Sequence, residues 1–209
     1  VLFRSFEEKN VRQVYRTYDA NLYFKNAQRN KLGIDFKQTL RFNYFYDTHK
    51  KAYEWMVSGR TDIKKSFLKY HSAGGLFFFD IPKLKNDSLT LLRYRFDIMP
   101  GYTFNNDDWK ARAYLGVAIT KAGTVFACEV SLEKRLYEHA IIAYISYNHN
   151  MQKNSLLSYS LVNPFIQNSV TIKNSTVGDF GTGFKGTAQN FSYNVAFHLN
   201  HIKIGRAHV

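Results

Sequence analysis

His71 and Ser72 form the one adjacent pair in the chain that suggests nucleophilic catalysis. A histidine can act as the general base for a serine hydroxyl when the two side chains lie within hydrogen-bond distance. Adjacent residues of a β-strand, however, point to opposite faces, and Ala73-Gly74-Gly75 follows directly and indicates a turn. We therefore expect this pair to lie in an exposed loop, and we predict that the chain is not an enzyme.

The remaining titratable side chains do not form a pattern typical of a catalytic or metal site. His198 and His201 are three residues apart, which places them on opposite faces of a strand, whereas metal ligands must converge. Glu129 and Glu133 share a face but lie about 13 Å apart at about 3.3 Å per residue, too far for an acid–base pair. Cys128 is the only cysteine, so neither a disulfide nor a cysteine-ligated zinc site is expected.

Two short motifs raise the possibility of cofactor or nucleic-acid binding, and neither is supported by its context. Gly181-Thr182-Gly183 lacks the strand–turn–helix setting of a nucleotide-binding fingerprint, so we predict no cofactor. Arg93-Tyr94-Arg95 interleaves basic and aromatic residues, as in single-strand binding surfaces. In a strand its tyrosine lies on the face opposite the arginines, and we predict no nucleic-acid partner.

The composition is basic and rich in aromatic residues. The 209 residues include 29 Lys+Arg against 16 Asp+Glu, a net charge of +13, together with 18 Phe and 15 Tyr but only 3 Pro. No apolar run approaches the roughly 18–20 residues that a transmembrane helix requires. If the chain spans a membrane, we expect it to do so with β-strands.

Alternation of apolar and polar residues is the strongest structural signal. It runs from Leu32 to Tyr46, from Leu92 to Ile98, from Trp109 to Ile119, from Phe126 to Glu133 and from Phe191 to Leu199. A period of two is typical of strands with one apolar face. We predict an all-β, antiparallel up-and-down meander of roughly ten to twelve strands, with Tyr70–Gly75 and Asn148–Ser155 as loops.

Short polar connectors at 47–50, 105–108 and 121–124 indicate hairpins. If each connector closes its hairpin symmetrically, apolar faces meet in all three cases, and a one-residue slip would reverse them. The predicted facing pairs are Phe42–Trp55, Tyr44–Tyr53, Phe104–Trp109, Thr120–Val125, Asp97–Gly116, Gly116–Glu129, Lys110–Arg135 and an Arg112–Glu133 ion pair.

The length of these alternating runs favours a membrane protein over a soluble sheet, because outer-membrane strands need about 9–11 residues and globular strands about 5–6. From Leu32 to Ile202 the pattern resembles bacterial outer-membrane β-barrels, including porins and autotransporter translocators. The resemblance implies a transmembrane barrel in the outer membrane of a Gram-negative bacterium, acting as a pore, an export translocator or a membrane anchor. It also implies outer-membrane lipid or an exported polypeptide as partners, and the net positive charge indicates an electropositive lumen or rim that would favour anionic solutes or contact lipopolysaccharide. The alternative is a soluble antiparallel β-sandwich or calycin-like binding module.

Each face of the predicted strands has its own expected environment. The charged residues expected to face a basic lumen are Arg93, Arg95, Asp97, Lys110, Arg112, Glu129 and Glu133. The residues expected to face lipid are Phe42, Tyr44, Tyr53, Trp55, Trp109, Phe126, Cys128, Phe191, Tyr193 and Phe197.

The two ends of the chain resemble translated sequencing-adapter sequence: Val1–Ser5 at the start and a closing segment that includes Ile204-Gly205-Arg206-Ala207-His208-Val209. We expect residues 1–5 and 203–209 to be artefacts, and residues 6–202 to be one truncated barrel domain.

Overall fold

The computed structural model describes residues 14–26, 32–48, 51–86, 90–137, 140–152, 154–158, 174–188 and 191–203. The expected adapter segments 1–5 and 204–209 lie outside these residues, whereas Lys203 is the last residue of the final strand. The described residues contain 11 strands: β1 Tyr15–Lys25, β2 Ile34–Asp47, β3 Ala52–Leu68, β4 His71–Lys85, β5 Thr90–Leu92, β6 Arg95–Asn105, β7 Trp109–Thr120, β8 Gly123–Tyr137, β9 Ile141–Gln152, β10 Ser175–Ala188 and β11 Phe191–Lys203.

All 11 strands belong to one antiparallel sheet. Its order is β1-β2-β3-β4-β6-β7-β8-β9-β10-β11, and the short β5 pairs with β4 beside this path. The predicted all-β up-and-down meander is therefore confirmed. Among the described residues β1 and β11 each pair on one side only, so the sheet is open.

Alternation divides the sheet into two faces with different chemistry. On β6, Arg95, Asp97 and Met99 are buried while Phe96 and Ile98 are exposed. We call the face that carries Arg95 and Asp97 the inner face and the opposite one the outer face. The alternation of apolar and polar residues in the sequence therefore corresponds to the outer and inner faces of the sheet.

Contacts between distant strands show that the inner face is concave. Arg60 Nη2 on β3 lies 3.4 Å from Glu129 Oε2 on β8, the fourth strand along from β3. Four interstrand steps in a flat sheet would separate these backbones by about 19 Å, more than the two side chains can bridge. The sheet therefore curls until its two halves touch across the interior.

Two apolar clusters lie on the inner face. Phe45, which breaks the apolar–polar alternation of β2, is fully buried with Ala52, Leu84 and Leu156. The second cluster consists of Leu76, Met99, Tyr114, Ala118 and Ala127. The interior is thus partly filled by side chains.

The predicted facing pairs are wrong by two residues at each of the three hairpins. Tyr44 faces Trp55 and Phe42 faces Val57. The other corrected partners are Tyr46 with Tyr53, Phe104 with Ala111, Thr120 with Gly123, Asp97 with Ala118, Gly116 with Ala127, Tyr114 with Glu129, Lys110 with Glu133, and Arg112 with Ser131.

The cause is the position of each turn. Moving the centre of a hairpin by one residue changes every facing pair by two, so each side chain keeps its face and changes its partner. At the β7–β8 hairpin the loop is only Lys121-Ala122. Thr120 Oγ1 accepts from Ala122 N at 3.2 Å and donates to Gly123 O at 2.9 Å, while Gly123 supplies the positive φ of 129°.

The two predicted loops are also largely strand. β4 begins at His71, and β9 continues to Gln152. The backbone of β4 approaches β3 closely at Gly74, where a Cβ atom would lie only 2.0 Å from the Ile63 carbonyl oxygen. Glycine has no Cβ and so allows the two strands to pair here. Gly74 therefore indicates close approach of neighbouring backbones and not a turn.

Candidate functional site

All ten residues predicted to face lipid lie on the outer face. Many outer-face side chains are widely exposed, including Phe126 at 55%, Leu115 at 50% and Phe197 at 63%. Cys128 has the outer-face phase but is buried between neighbouring strands, with Leu115 opposite it on β7 and His149 on β9. The sheet thus presents a broad, exposed apolar surface.

Aromatic side chains on the outer face gather in two bands near the strand ends. The first band contains Tyr18, Tyr44, Tyr53, Trp55, Tyr94 and Phe96, with ring centroids 6.0 Å apart for Tyr18–Tyr44 and 6.2 Å for Tyr44–Tyr53. The second contains Phe67, His71, Tyr102, Phe104 and Trp109, in which His71 contacts three of the other rings. Phe191 and Tyr193 stack at the same strand ends as the second band.

The spacing between these bands can be read along β6. Phe96 and Phe104 are eight residues apart. That is about 27 Å along the strand. At the tilt of about 40° that strands have in outer-membrane barrels, this length would correspond to about 21 Å in depth. Outer-membrane barrels carry an apolar band about 25 Å tall between their aromatic girdles. The surface between the two bands is thus about eight residues long on β6.

All seven residues predicted to face a lumen lie toward the inner face, where they form ion pairs. Arg112 Nη2 lies 2.8 Å from Glu129 Oε1. Glu129 also forms an ion pair with Arg60, which reaches it from β3 across the interior. Glu133 lies 3.6 Å from Lys110 Nζ and 3.1 Å from Lys185 Nζ. The predicted Arg112–Glu133 ion pair is wrong, because Arg112 pairs with Glu129 instead.

Arg95 is the centre of a buried polar cluster. Its guanidinium forms a bidentate pair with Asp97, with Nε 2.7 Å from Oδ1, and the side chains are 7% and 1% exposed. It also donates to Met151 O and to Asn150 Oδ1 on β9. The same guanidinium lies 4.7 Å from the centre of the Phe78 ring. These contacts tie β6 to β9 through the interior.

A second buried pair fixes the segment 154–158 against the inner face. Arg93 Nη2 donates to Glu54 Oε1 at 2.8 Å, and Arg93 Nη1 donates to Asn154 O at 2.7 Å. Glu54 Oε2 accepts from Leu156 N at 2.6 Å. Residues 156–158 form one helical turn, and Leu156 completes the apolar cluster around Phe45. This segment therefore occupies part of the interior.

The residues considered for catalysis or metal binding remain apart. His71 lies on the outer face beside Tyr102, whereas Ser72 Oγ lies 3.1 Å from Ser66 Oγ. His198 and His201 face different partners three residues apart on β11 and so point to opposite faces. Within the described ranges, no group of three or more His, Cys, Asp or Glu side chains could hold a metal ion.

Several interior residues were not identified from the sequence. Glu54 and Arg60 both lie on β3 and reach partners far along the chain. His198 Nδ1 lies 3.1 Å from Asp179 Oδ1, an ion pair when the histidine is protonated. One feature of the sequence could have identified Glu54 as an interior residue: its carboxylate lies inside the otherwise apolar stretch from Ala52 to Val57.

In the part of the chain that the structure describes, no helix has the length and apolarity needed to cross a membrane. No protein-family model matches the sequence, and the search among curated proteins finds no match.

Proposed function

We propose that this chain forms the wall of a bacterial outer-membrane β-barrel whose polar interior admits small solutes. The observation that carries the proposal is the outer face: a broad exposed apolar surface between two aromatic bands, which would lie about 21 Å apart in depth at the strand tilt of outer-membrane barrels. Soluble proteins rarely expose contiguous apolar patches larger than a few hundred Å². A β-sandwich would bury this face against a second sheet, and the described strands all belong to one sheet.

The interior favours passage of small solutes over export of a polypeptide. Arg60 and Glu129 meet across the sheet, and the segment 154–158 is held against the inner face by Glu54 and Arg93. These contacts narrow the space through which an extended chain would have to pass. The ion-paired inner wall provides a hydrated polar surface facing away from lipid.

Membrane insertion is tested by expressing the chain with an outer-membrane export signal and fractionating the cells. We expect the protein in the outer membrane, extracted only by detergent, with gel mobility that changes on heating. Recovery of folded protein in the soluble fraction without detergent would contradict the proposal and favour the soluble binding module.

Conduction is tested with a pair of adjacent variants in planar bilayers. Glu133→Gln leaves the inner-face Lys110 and Lys185 without their shared counterion, so the interior becomes more positive. We expect a reversal potential shifted toward anions at low salt, and a smaller shift at high salt because ions screen the field. Lys134→Gln is the control, since Lys134 lies on the outer face over Trp109. Lys134→Gln removes a positive charge, so a shift toward cations as large as the anion shift of Glu133→Gln would contradict the assignment of an inner conducting wall. No shift for Glu133→Gln in an open channel would contradict it as well.

A further inference from the structure

A cleft of about 520 Å³ opens on the inner face over β2, β3 and β4. Its size falls within the range of about 300–1,000 Å³ typical of small-molecule sites. Ser155 and Leu157, from the segment that Glu54 and Arg93 hold in place, form one side of it. The cleft is therefore built partly from the sheet and partly from a chain segment fixed upon it.

Two arginines provide the main hydrogen-bond donors of the cleft. Arg41 faces Ser58 and Arg60 faces Thr39, so the two arginines are diagonal neighbours on the same face of β2 and β3. Their side chains are 52% and 55% exposed, and each contacts its carboxylate partner through Nη2. A guanidinium carries five N–H donors, so both retain donors for a ligand.

The charge of the lining is balanced. Alongside Arg41 and Arg60 the cleft is lined by two carboxylates, Glu54 and Asp80. The ion-pair partners that lie outside the lining add no excess of cations, because Asp19 pairs with Arg41, Glu129 with Arg60 and Arg93 with Glu54. A lining with no excess of cations gives little net attraction to an anion, although the whole chain is basic.

Hydroxyl and apolar groups complete the lining. Thr39 and Ser58 provide hydroxyls that donate and accept, and Asn43 provides an amide. Phe78 and Met56 provide apolar surface within the same cleft. Donors, acceptors and an aromatic ring in a charge-balanced cleft match a solute with many hydroxyls and an apolar C–H face.

We infer that the cleft binds a neutral saccharide, with Arg41 and Arg60 donating to its hydroxyls and the Phe78 ring packing against its C–H face. The inference rests on the proposed function, because it identifies the class of solute that enters the interior. It favours a neutral solute over the anionic solutes expected from the total charge, because the charges that line the cleft balance.

The test is calorimetric titration of maltose, and separately of inorganic phosphate, into the full chain folded in a detergent without a sugar head group. We expect saturable binding of maltose and none of phosphate at equal concentration. Arg41→Gln and Arg60→Gln should each weaken maltose binding about tenfold or more, since hydrogen bonds from charged groups are strong. Both residues are half-exposed, so both variants should fold.

Lys37→Gln is the matched control. Lys37 is exposed on β2, faces Asp62 on β3 and does not line the cleft. Lys37→Gln therefore removes one positive charge, as Arg41→Gln does, but no hydrogen-bond donor to the bound saccharide. Maltose affinity should change by less than about twofold. Equal weakening by Lys37→Gln and Arg41→Gln, saturable binding of phosphate, or no maltose binding by folded protein would each overturn the inference. Gel mobility and fractionation are measured separately, so failure of membrane insertion is distinguished from failure of ligand binding.

Discussion

The buried Glu54–Arg93 pair should stabilise the fold far more than an exposed pair with similar geometry. Its side chains are 3% and 10% exposed, and its N–O distance is 2.8 Å. Removing one partner leaves the other charge buried, which costs about 3–5 kcal/mol of unfolding free energy. At an effective dielectric constant of about 20, charges about 4 Å apart attract by about 4 kcal/mol. We therefore expect a coupling free energy of about 2–4 kcal/mol.

The assay is a double-mutant cycle of Glu54→Gln, Arg93→Met and the double variant, measured by urea unfolding and followed by tryptophan fluorescence. The control cycle uses Asp19→Asn and Arg41→Gln, whose N–O distance is 3.0 Å but whose side chains are 42% and 52% exposed. That exposed pair should couple by about 0–1 kcal/mol. Because Glu54 also accepts from Leu156 N, Glu54→Gln should increase protease cleavage near residues 154–158. Equal coupling in both cycles, or unchanged proteolysis, would refute the assignment of this pair as the anchor of the segment.

Two further predictions concern the sheet itself. Gly116→Ala should lower the free energy of unfolding by more than about 2 kcal/mol in thermal or urea unfolding, since the new Cβ would lie 1.9 Å from Ile98 O. Gly178→Ala is the control: the nearest atom to its new Cβ is 3.4 Å away, so the free energy of unfolding should change by less than about 0.5 kcal/mol. In a Cys128→Ser background, Phe126→Cys should react in membranes with an apolar maleimide and not with a charged one, because Phe126 is 55% exposed on the outer face; rapid reaction with the charged reagent would place that face in water.

Cys128 illustrates where prediction from sequence stops. Cys128 is two residues from Phe126, so the alternation predicts that the two share a face, and in the structure both have the position of outer-face residues on β8. The burial of Cys128 could not be predicted, because it depends on strands β7 and β9 on either side, where Leu115 and His149 are its facing residues. Reactivity of native Cys128 therefore reports packing between strands as well as the environment of the face.

The sequence by itself determined the fold class and the face on which each strand residue lies. Both depend on backbone geometry that is local, since successive side chains of any strand alternate. Phe42, Trp109 and Phe126 therefore share one face of the sheet, as the alternation predicts, although no facing partner was predicted correctly at their hairpins. Partner choice depends on the turn centre, and a shift of one residue leaves the faces unchanged.

Only the tertiary structure decided which charges meet in the interior. Arg60 and Glu129 are 69 residues apart in the chain, and Glu54 and Leu156 are 102 apart. Their contact requires the sheet to curl through several strands, and that curvature is a sum of twists, bends and close approaches such as the one at Gly116. A pattern with a period of two carries no information on that sum, which is why the anchored segment, the balanced cleft and the crossing ion pairs were not predictable from the sequence.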